Sequence, residues 1–183
     1  IQISKIINKY IGRSIFLIPL TEISNKIHKL KWVKSVNLST NLKNIIQVEI
    51  LEYEPVGLYF FNDQIFYFST EGKIIDKTNN ESDEKYTIFF GKNSLRYAHD
   101  LLQILDKFQY QELKHIKEAH YINDRRWDIK FSNQVLVYLS EKNIETSLIN
   151  YIKLIKQFKE SEILAIKSID LRNNNKAIIK FKQ

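Results

Sequence analysis

Apolar positions in the first part of the chain change from a helical spacing to a strand-like one. Between residues 3 and 11, and again between residues 23 and 30, apolar side chains recur every three or four positions, which predicts two short helices. Thr21 stands just before the second pattern, where we expect it to cap the helix. Alternation of apolar and polar residues then occupies positions 36–38 and 46–50 on either side of a polar turn, which predicts a hairpin. The unit is therefore predicted to be α-α-β-β.

Pro55 separates this unit from a second, strand-rich one. Because proline has no N–H for a sheet ladder and favours strand ends, we expect a first domain at residues 1–55 and a second at residues 56–183. Two long amphipathic patterns, residues 94–108 and 144–158, predict helices that cover a sheet. The predicted fold class is α+β, with the small α-α-β-β domain followed by a mixed sheet domain of many short strands covered by two helices. Before the end of the chain, the predicted strands of the second domain are residues 58–61, 65–67, 74–75, 86–90, 116–122, 127–131 and 135–139.

The chain ends in a further predicted hairpin. Residues 168–172 and 177–182 alternate between apolar and polar side chains, and a polar turn of three Asn residues joins them. If the last strand lies at a sheet edge, its unpaired N–H and C=O groups can pair with a strand of another chain. The alternative is that this strand closes the core and that its Lys residues protect the edge against such pairing.

Composition makes the chain globular but leaves its charge open to several explanations. With 183 residues and 44% hydrophobic side chains, the chain can form packed cores. It contains no uninterrupted run of about 18 apolar residues, the length needed to span a membrane. The net charge of +7 suits nucleic acid, an anionic lipid surface or an acidic partner, although the scattered Lys residues also fit a general bias toward Lys, Ile and Asn. The chain begins at Ile1 within a helical pattern, so we expect it to be a fragment without an N-terminal anchoring or targeting segment.

No spacing typical of a catalytic or metal-binding site occurs in the sequence. The absence of Cys excludes disulfides and thiolate ligands, the four histidines do not match a ligand motif, and the glycines are isolated. We therefore expect no enzymatic activity, no cofactor and no metal. Asp124-Arg125-Arg126 could bind phosphate through its guanidinium groups or could pair with carboxylates on neighbouring strands, and the sequence leaves both possibilities open.

Motifs in both domains resemble those of one protein family. Trp32-Val33 follows the second predicted helix and Glu52-Tyr53-Glu54-Pro55-Val56 follows the last strand of the first domain, an order similar to the POTRA domain of FtsQ/DivIB cell-division proteins. In the second domain, Arg126-Trp127 at a strand, Asn133 at its turn and Asp170-Leu171-Arg172 before the last strand resemble the same family. The chain departs from the family pattern at three positions, since Gln134 and Ser140 replace glycines and Asn173 replaces a frequent aromatic residue.

This resemblance implies a non-enzymatic scaffold of the division machinery. It implies a POTRA-like first domain that lacks its usual first strand, in a periplasmic fragment of a single-pass inner-membrane protein enriched at the division septum. Its partners would be the bitopic proteins FtsB and FtsL, with other division proteins bound through the POTRA domain and no nucleic acid. We expect a strand of FtsB to pair with the last strand of this chain. The expected partner-binding residues are Arg125, Arg126, Asn173, Lys176, Ala177, Ile178, Ile179, Lys180 and Phe181.

Two other functions fit parts of the sequence. POTRA domains also occur in outer-membrane assembly and secretion machines, where they usually stand in tandem. A basic module that binds nucleic acid or a lipid surface would account for the net charge of +7 and for the aromatic residues.

Overall fold

The computed structural model describes residues 2–41, 45–78, 85–108, 113, 116–173 and 175–183. Within these ranges the chain forms two compact units, Ile1–Glu54 and Pro55–Gln183. Residues 42–44 of the first predicted turn, together with His115 and Asn174, lie outside the described residues. None of the helices in the described ranges is long and apolar enough to cross a bilayer.

The first unit packs its helices against a two-stranded antiparallel sheet. Its small core is centred on Ile23 and Ile27 of one helix and Val33 of a strand, each of which is exposed by 2% or less. The predicted α-α-β-β order is confirmed. The elements are α1 Gln2–Ile7, α2 Leu20–His28, β1 Val33–Thr40 and β2 Ile46–Glu52, with 3₁₀ turns at Asn8–Tyr10 and Ile15–Leu17.

The helix boundaries of the first unit differ from the prediction. Helix α2 begins at Leu20, directly after Pro19, whose φ of −80° is near the helical value. Thr21 therefore lies inside the first turn, and the prediction that it caps the helix is wrong. Proline near a helix start costs little because the first N–H groups of a helix have no partner within it. Helix α1 is also shorter than predicted, since it ends at Ile7 and continues only as a 3₁₀ turn.

In the second unit, the described residues form a nine-stranded mixed sheet with strand order β11-β10-β9-β8-β7-β6-β3-β4-β5. The pairs β3–β6, β6–β7 and β9–β10 are parallel and the others are antiparallel. A helix follows β6 and two helices follow β9, because parallel neighbours need a crossover connection. The elements are β3 Pro55–Phe61, β4 Gln64–Ser69, β5 Ile74–Thr78, β6 Ile88–Phe90, α3 Ser94–Lys107, β7 Ile116–Ile122, β8 Arg126–Phe131, β9 Leu136–Tyr138, α4 Ile144–Ile155, α5 Glu160–Ala165, β10 Ile166–Asn173 and β11 Lys176–Phe181.

One row of apolar residues crosses seven strands and forms the centre of the main core. Each member of the row is the cross-strand partner of the next, and the five central members are 0% exposed. Because side chains alternate along a strand, the residues immediately before and after this row point to the opposite face of the sheet. The row consists of Tyr59, Phe89, Ala119, Ile129, Val137, Ile169 and Ile179.

Helices α3 and α4 supply the other half of this core, which confirms the predicted α+β class. Ala98 and Leu101 of α3 and Leu148 of α4 belong to the same buried cluster as the central row. The two predicted helical patterns extend slightly too far, since Phe108 and Phe158 lie beyond the helix ends but still pack against the core. The short helix α5 was not predicted.

Left-handed backbone angles shape three hairpin turns. Asn62-Asp63 and Asn123-Asp124 have φ values between 48° and 55°, as expected for the type I′ turns that join antiparallel strands. Gln134, between β8 and β9, has a φ of 70°. Glycine takes this conformation without strain, whereas a side-chain-bearing residue loses about 1–2 kcal/mol. The turn therefore forms without the glycine of the family pattern, and Gln134 carries the strain.

A buried serine connects helix α4 to two strands of the sheet. The Ser147 Oγ accepts a hydrogen bond from the Ser140 N–H at 3.0 Å and donates one to the Leu171 carbonyl oxygen at 3.2 Å. Ser140 is itself buried and follows β9, and Leu171 lies in β10. This side chain therefore fixes the start of α4 against β10, the strand that precedes the last one.

We expect Ser147→Ala to lower the free energy of unfolding by about 1–3 kcal/mol, because it leaves the buried N–H of Ser140 without its partner. Ser94 provides a matched control, since it is also 0% exposed but its hydroxyl meets no hydrogen-bond partner among the described residues. Ser94→Ala should change the free energy of unfolding by less than about 0.5 kcal/mol. Urea denaturation of both variants measures the difference, and equal losses would show that the Ser147 bonds contribute nothing.

Candidate functional site: an edge strand and an arginine cluster

Strand β11 lies at one edge of the nine-stranded sheet. It pairs with β10 on one side, and no strand of the described residues pairs with it on the other. Ile178 and Phe181 are 47% and 53% exposed, and Ile179 is half-buried against the main core. The six predicted contact residues from Lys176 to Phe181 therefore form a single edge whose backbone is held in place by β10.

The hydrogen bonds of the hairpin define which amides of β11 face outward. The Lys182 N–H donates to the Ala165 carbonyl oxygen at 2.8 Å, so it points toward the β10 side. N–H groups alternate between the two sides of a strand. The N–H groups of Lys180 and Ile178 therefore point toward β10, whereas those of Phe181 and Ile179 point toward the open edge. A partner strand at the open edge would meet N–H donors at Ile179 and Phe181.

Beside the edge, a charged and apolar cleft lies on the sheet face opposite the helices. The cleft has a volume of about 490 Å³ and is lined by Asp170, Arg172, Asn173, Lys176 and Ile178. The Arg172 Nε donates to Asp170 Oδ1 at 2.9 Å, and its guanidinium carbon lies 5.8 Å from the ring centre of Tyr138. The edge strand therefore adjoins a surface that offers both a cation and an exposed isoleucine.

Asn173 occupies the end of β10 where the family pattern often has an aromatic residue. Its side-chain oxygen accepts a hydrogen bond from the Asn175 N–H at 2.9 Å, so the side chain stabilises the turn between β10 and β11. Asn173 also lines the cleft beside the edge. A small polar residue thus stands at this cleft in place of a large apolar side chain.

The predicted arginine pair lies away from the edge strand. Arg126 begins β8, three strands from β11, which corresponds to roughly 14 Å across the sheet. The Arg126 Nε donates to Asp128 Oδ1 at 3.1 Å, and the Arg125 Nε lies 3.8 Å from Glu141 Oε2. Both arginines line a second cleft of about 400 Å³. The structure therefore divides the predicted contact residues into an edge group and an arginine group.

Arg172 connects the two groups, although it was missing from the predicted set. It lines both the cleft beside the edge and the cleft that contains Arg125 and Arg126. The signal was present in the sequence, because Asp170 and Arg172 are two positions apart in a strand and therefore share a face. We refer to Arg125, Arg126 and Arg172 as the arginine cluster.

Ion pairing alters the protonation of the cluster's carboxylate. Hydrogen bonds from Arg172 hold the pKa of Asp170 below its usual value, although partial burial acts in the opposite direction. The same ion pair raises the pKa of the Arg172 guanidinium. At neutral pH, both members of this pair are therefore charged. Among the described residues, no group of three or more His, Asp or Glu side chains is arranged to hold a metal ion.

Family comparisons match both units of the chain to one kind of protein. Residues 61–172 match the family model described as "Cell division protein FtsQ/DivIB, C-terminal", and residues 1–53 match the model described as "POTRA domain, FtsQ-type". The first model covers more than half of the chain.

Individual relatives agree with these family matches. The chain is 31% identical over 179 residues to the cell division protein FtsQ of Rickettsia prowazekii, with 98% of this chain and 66% of that protein covered. It is 21% identical over 194 residues to the FtsQ of Koribacter versatilis, with coverage of 97% and 55%. The chain thus spans about two thirds of the length of the Rickettsia relative.

A solved structure, the major extracytoplasmic domain of the cell division protein DivIB from Geobacillus stearothermophilus, matches more distantly. It has a TM-score of 0.43 and 13% identity, and the match covers 60% of this chain and 99% of that one.

We expect Asp170→Asn to destabilise the chain at neutral pH and to lose this effect in acid. The pKa of Asp170 is lower in the folded state than the unfolded value of about 3.9, so its ion pair stabilises the fold fully above that pH. The stabilisation is lost as the pH falls through the folded-state pKa. Urea denaturation of both proteins at about pH 7 and in steps down to about pH 2 measures this loss.

An Arg172→Gln background supplies the control, because it removes the guanidinium partner of Asp170 and keeps the backbone N–H of residue 172, which also donates to Asp170. In that background, the pH-dependent effect of Asp170→Asn on the free energy of unfolding should be clearly smaller. A destabilisation by Asp170→Asn that is the same at neutral and acid pH would contradict a stabilising ion pair.

Proposed function

The chain belongs to the FtsQ/DivIB family of cell division proteins, and we propose that it is a non-enzymatic scaffold that holds FtsB-type and FtsL-type proteins at the division septum. The observation that carries the proposal is the open edge of β11. A partner strand gains main-chain hydrogen bonds there without displacing any strand of the described residues. The affinity then comes from the backbone, and the exposed side chains provide specificity.

The edge residues suit a strand of mixed apolar and acidic character. Ile178 and Phe181 are exposed on opposite faces of β11. An added strand would therefore contact Ile178 with side chains on one of its faces and Phe181 with side chains on the other. Lys176 and Lys180 are also exposed and lie on the same face as Ile178. These two cations would attract an acidic segment and speed its association.

The arginine cluster requires a second part of the partner. Because Arg126 lies three strands from β11, a strand added at the edge does not reach it. A partner that contacts both groups must also cross the open face of the sheet, past Arg172. We propose that an acidic segment next to the pairing strand does so, with carboxylates that compete with Asp128 and Asp170 for the guanidinium groups.

Asn173 is expected to weaken this contact relative to relatives with an aromatic residue there. An aromatic side chain at the cleft would bury apolar area against the partner, whereas the amide of Asn173 is already engaged with Asn175. More of the binding free energy would then come from Ile178 and Phe181.

Membership of the family supports a proposal about location and further partners. We propose that the chain lies on the periplasmic side of the inner membrane as part of a longer single-pass protein enriched at the septum. Residues 1–55 and 56–183 would act as separate domains, with the POTRA-like domain contacting other division proteins. An outer-membrane assembly role is less well supported, because residues 61–172 match the division-protein family.

We expect Ile179→Pro to weaken binding of a synthetic peptide with the C-terminal sequence of an FtsB-type protein by about tenfold or more. Proline removes the outward N–H at this position but leaves the N–H groups of Ile178 and Lys180 free to bond β10. Isothermal titration calorimetry of the wild-type chain and the variant measures the change.

Ile179→Ala is the matched control, because it removes the same side chain while it keeps the N–H. It should bind the peptide much more tightly than Ile179→Pro, provided that circular dichroism shows both variants folded. Equal affinities for the two variants would exclude strand pairing at this edge.

The arginine group is tested by charge removal. Arg126→Gln should weaken binding of a longer peptide that includes the acidic segment by about tenfold, and the binding that remains should depend less on salt. Lys130→Gln is the control, because Lys130 lies on the same strand and face and is also paired with a carboxylate, Glu118, at 2.9 Å. It should change the affinity by less than about twofold. Equal losses for the two variants would assign the effect to net charge.

A further inference from the structure

A separate surface of the first unit exposes apolar side chains that the edge site does not use. Ile11, Phe16 and Leu17 are 73%, 85% and 77% exposed, the largest exposed fractions among the large hydrophobic residues described. All three lie in the connection between α1 and α2. We call residues Ile11–Leu17 the apolar loop. Single exposed apolar residues are ordinary, but three within seven positions concentrate exposed apolar surface in one short segment, which we call the patch.

The backbone holds these side chains outward. Tyr10 before the loop and Ile18 after it both pack against the core of the first unit. Between them Gly12 turns the chain at a φ of 79°, and a 3₁₀ turn covers Ile15–Leu17. Both ends of the loop are therefore anchored on the core, and Phe16 and Leu17 between them are exposed.

The sequence around the apolar loop carries cations and no carboxylate. The first 21 residues contain Lys5, Lys9 and Arg13 but no Asp or Glu, and the first acidic residue, Glu22, is paired with Lys26. The Arg13 guanidinium lies 5.5 Å from the centre of the Tyr10 ring, which holds it beside the loop. Exposed apolar side chains in a positively charged segment suit an anionic lipid surface, where the apolar groups enter the boundary of headgroups and acyl chains.

We propose that the apolar loop docks on an anionic lipid bilayer. Phe16 and Leu17 insert at the tip, Ile11 contributes from the other side of Gly12, and Lys5, Lys9 and Arg13 bind lipid phosphates. Nucleic acid is a poorer fit, because two of the three exposed side chains are aliphatic and cannot stack on bases. The proposal is independent of strand pairing at β11.

Flotation of the 183-residue chain with lipid vesicles tests the proposal. We expect binding to vesicles that contain phosphatidylglycerol and little binding to vesicles of pure phosphatidylcholine. Raising NaCl from about 0.05 M to about 0.5 M should weaken the binding by screening the cations. Phe16→Ser combined with Leu17→Ser should reduce binding at least about tenfold, and Arg13→Glu should reduce it at least about fivefold.

Matched variants distinguish vesicle binding through the apolar loop from nonspecific binding through other apolar residues or through net charge. Leu164→Ser changes another exposed apolar residue, at 60% exposure, and Lys92→Glu makes the same charge change in the second unit. Both should bind vesicles within about twofold of the wild type. Circular dichroism identifies any variant that has lost its fold, and Phe16→Ala then replaces the double variant.

Three results would overturn the proposal. Equal binding to both kinds of vesicle would show that anionic lipid is not required. Equal losses of binding for the loop variants and their controls would show that the loop is not the binding surface. Self-association without lipid, detected by sedimentation and abolished by the Phe16 and Leu17 changes, would assign the patch to a second copy of the chain.

Discussion

The strict alternation of side chains across one apolar row governs the architecture of the larger unit. From Tyr59 to Ile179 this row crosses seven strands, and its five central members are fully buried beneath helices α3 and α4. A shift of one residue in any of these seven strands would turn its apolar side chain to the opposite face, so burial fixes the register of each strand that the row crosses. Asp128 and Asp170, which lie on the other face of the sheet, are placed there by the same constraint.

The surface proposed to bind a partner lies where this row ends. Ile179, its last member, is only half-buried, yet it anchors β11 against the core. The far side of that strand has no neighbour among the described residues, so a rigid row of donors and acceptors is available at the edge. Ser147 holds β10 from within the core, and Arg172 projects from β10 into both clefts. Strand β10 thus pairs with the edge strand and also contributes Arg172 to the arginine cluster.

Local patterns made much of this fold predictable. The alternation at residues 168–172 and 177–182 predicted the terminal hairpin, and the amphipathic spacing in residues 94–108 and 144–158 predicted the two covering helices, because each signal depends on neighbouring residues alone. The strand order was not predictable, since the parallel pairs β3–β6, β6–β7 and β9–β10 join segments distant in sequence. The separation of Arg126 from the edge, and the position of Arg172 between them, depend on that order.

Amide hydrogen exchange of β11, followed by NMR with and without the FtsB-type peptide, tests strand pairing most directly. The account predicts that the amides of Ile179 and Phe181 slow by about tenfold or more when the peptide is bound, because their N–H groups face the open edge. The amides of Ile178 and Lys180, which point toward β10, should change far less. Equal slowing of all four amides, or slowing of none while the peptide binds, would contradict pairing at this edge.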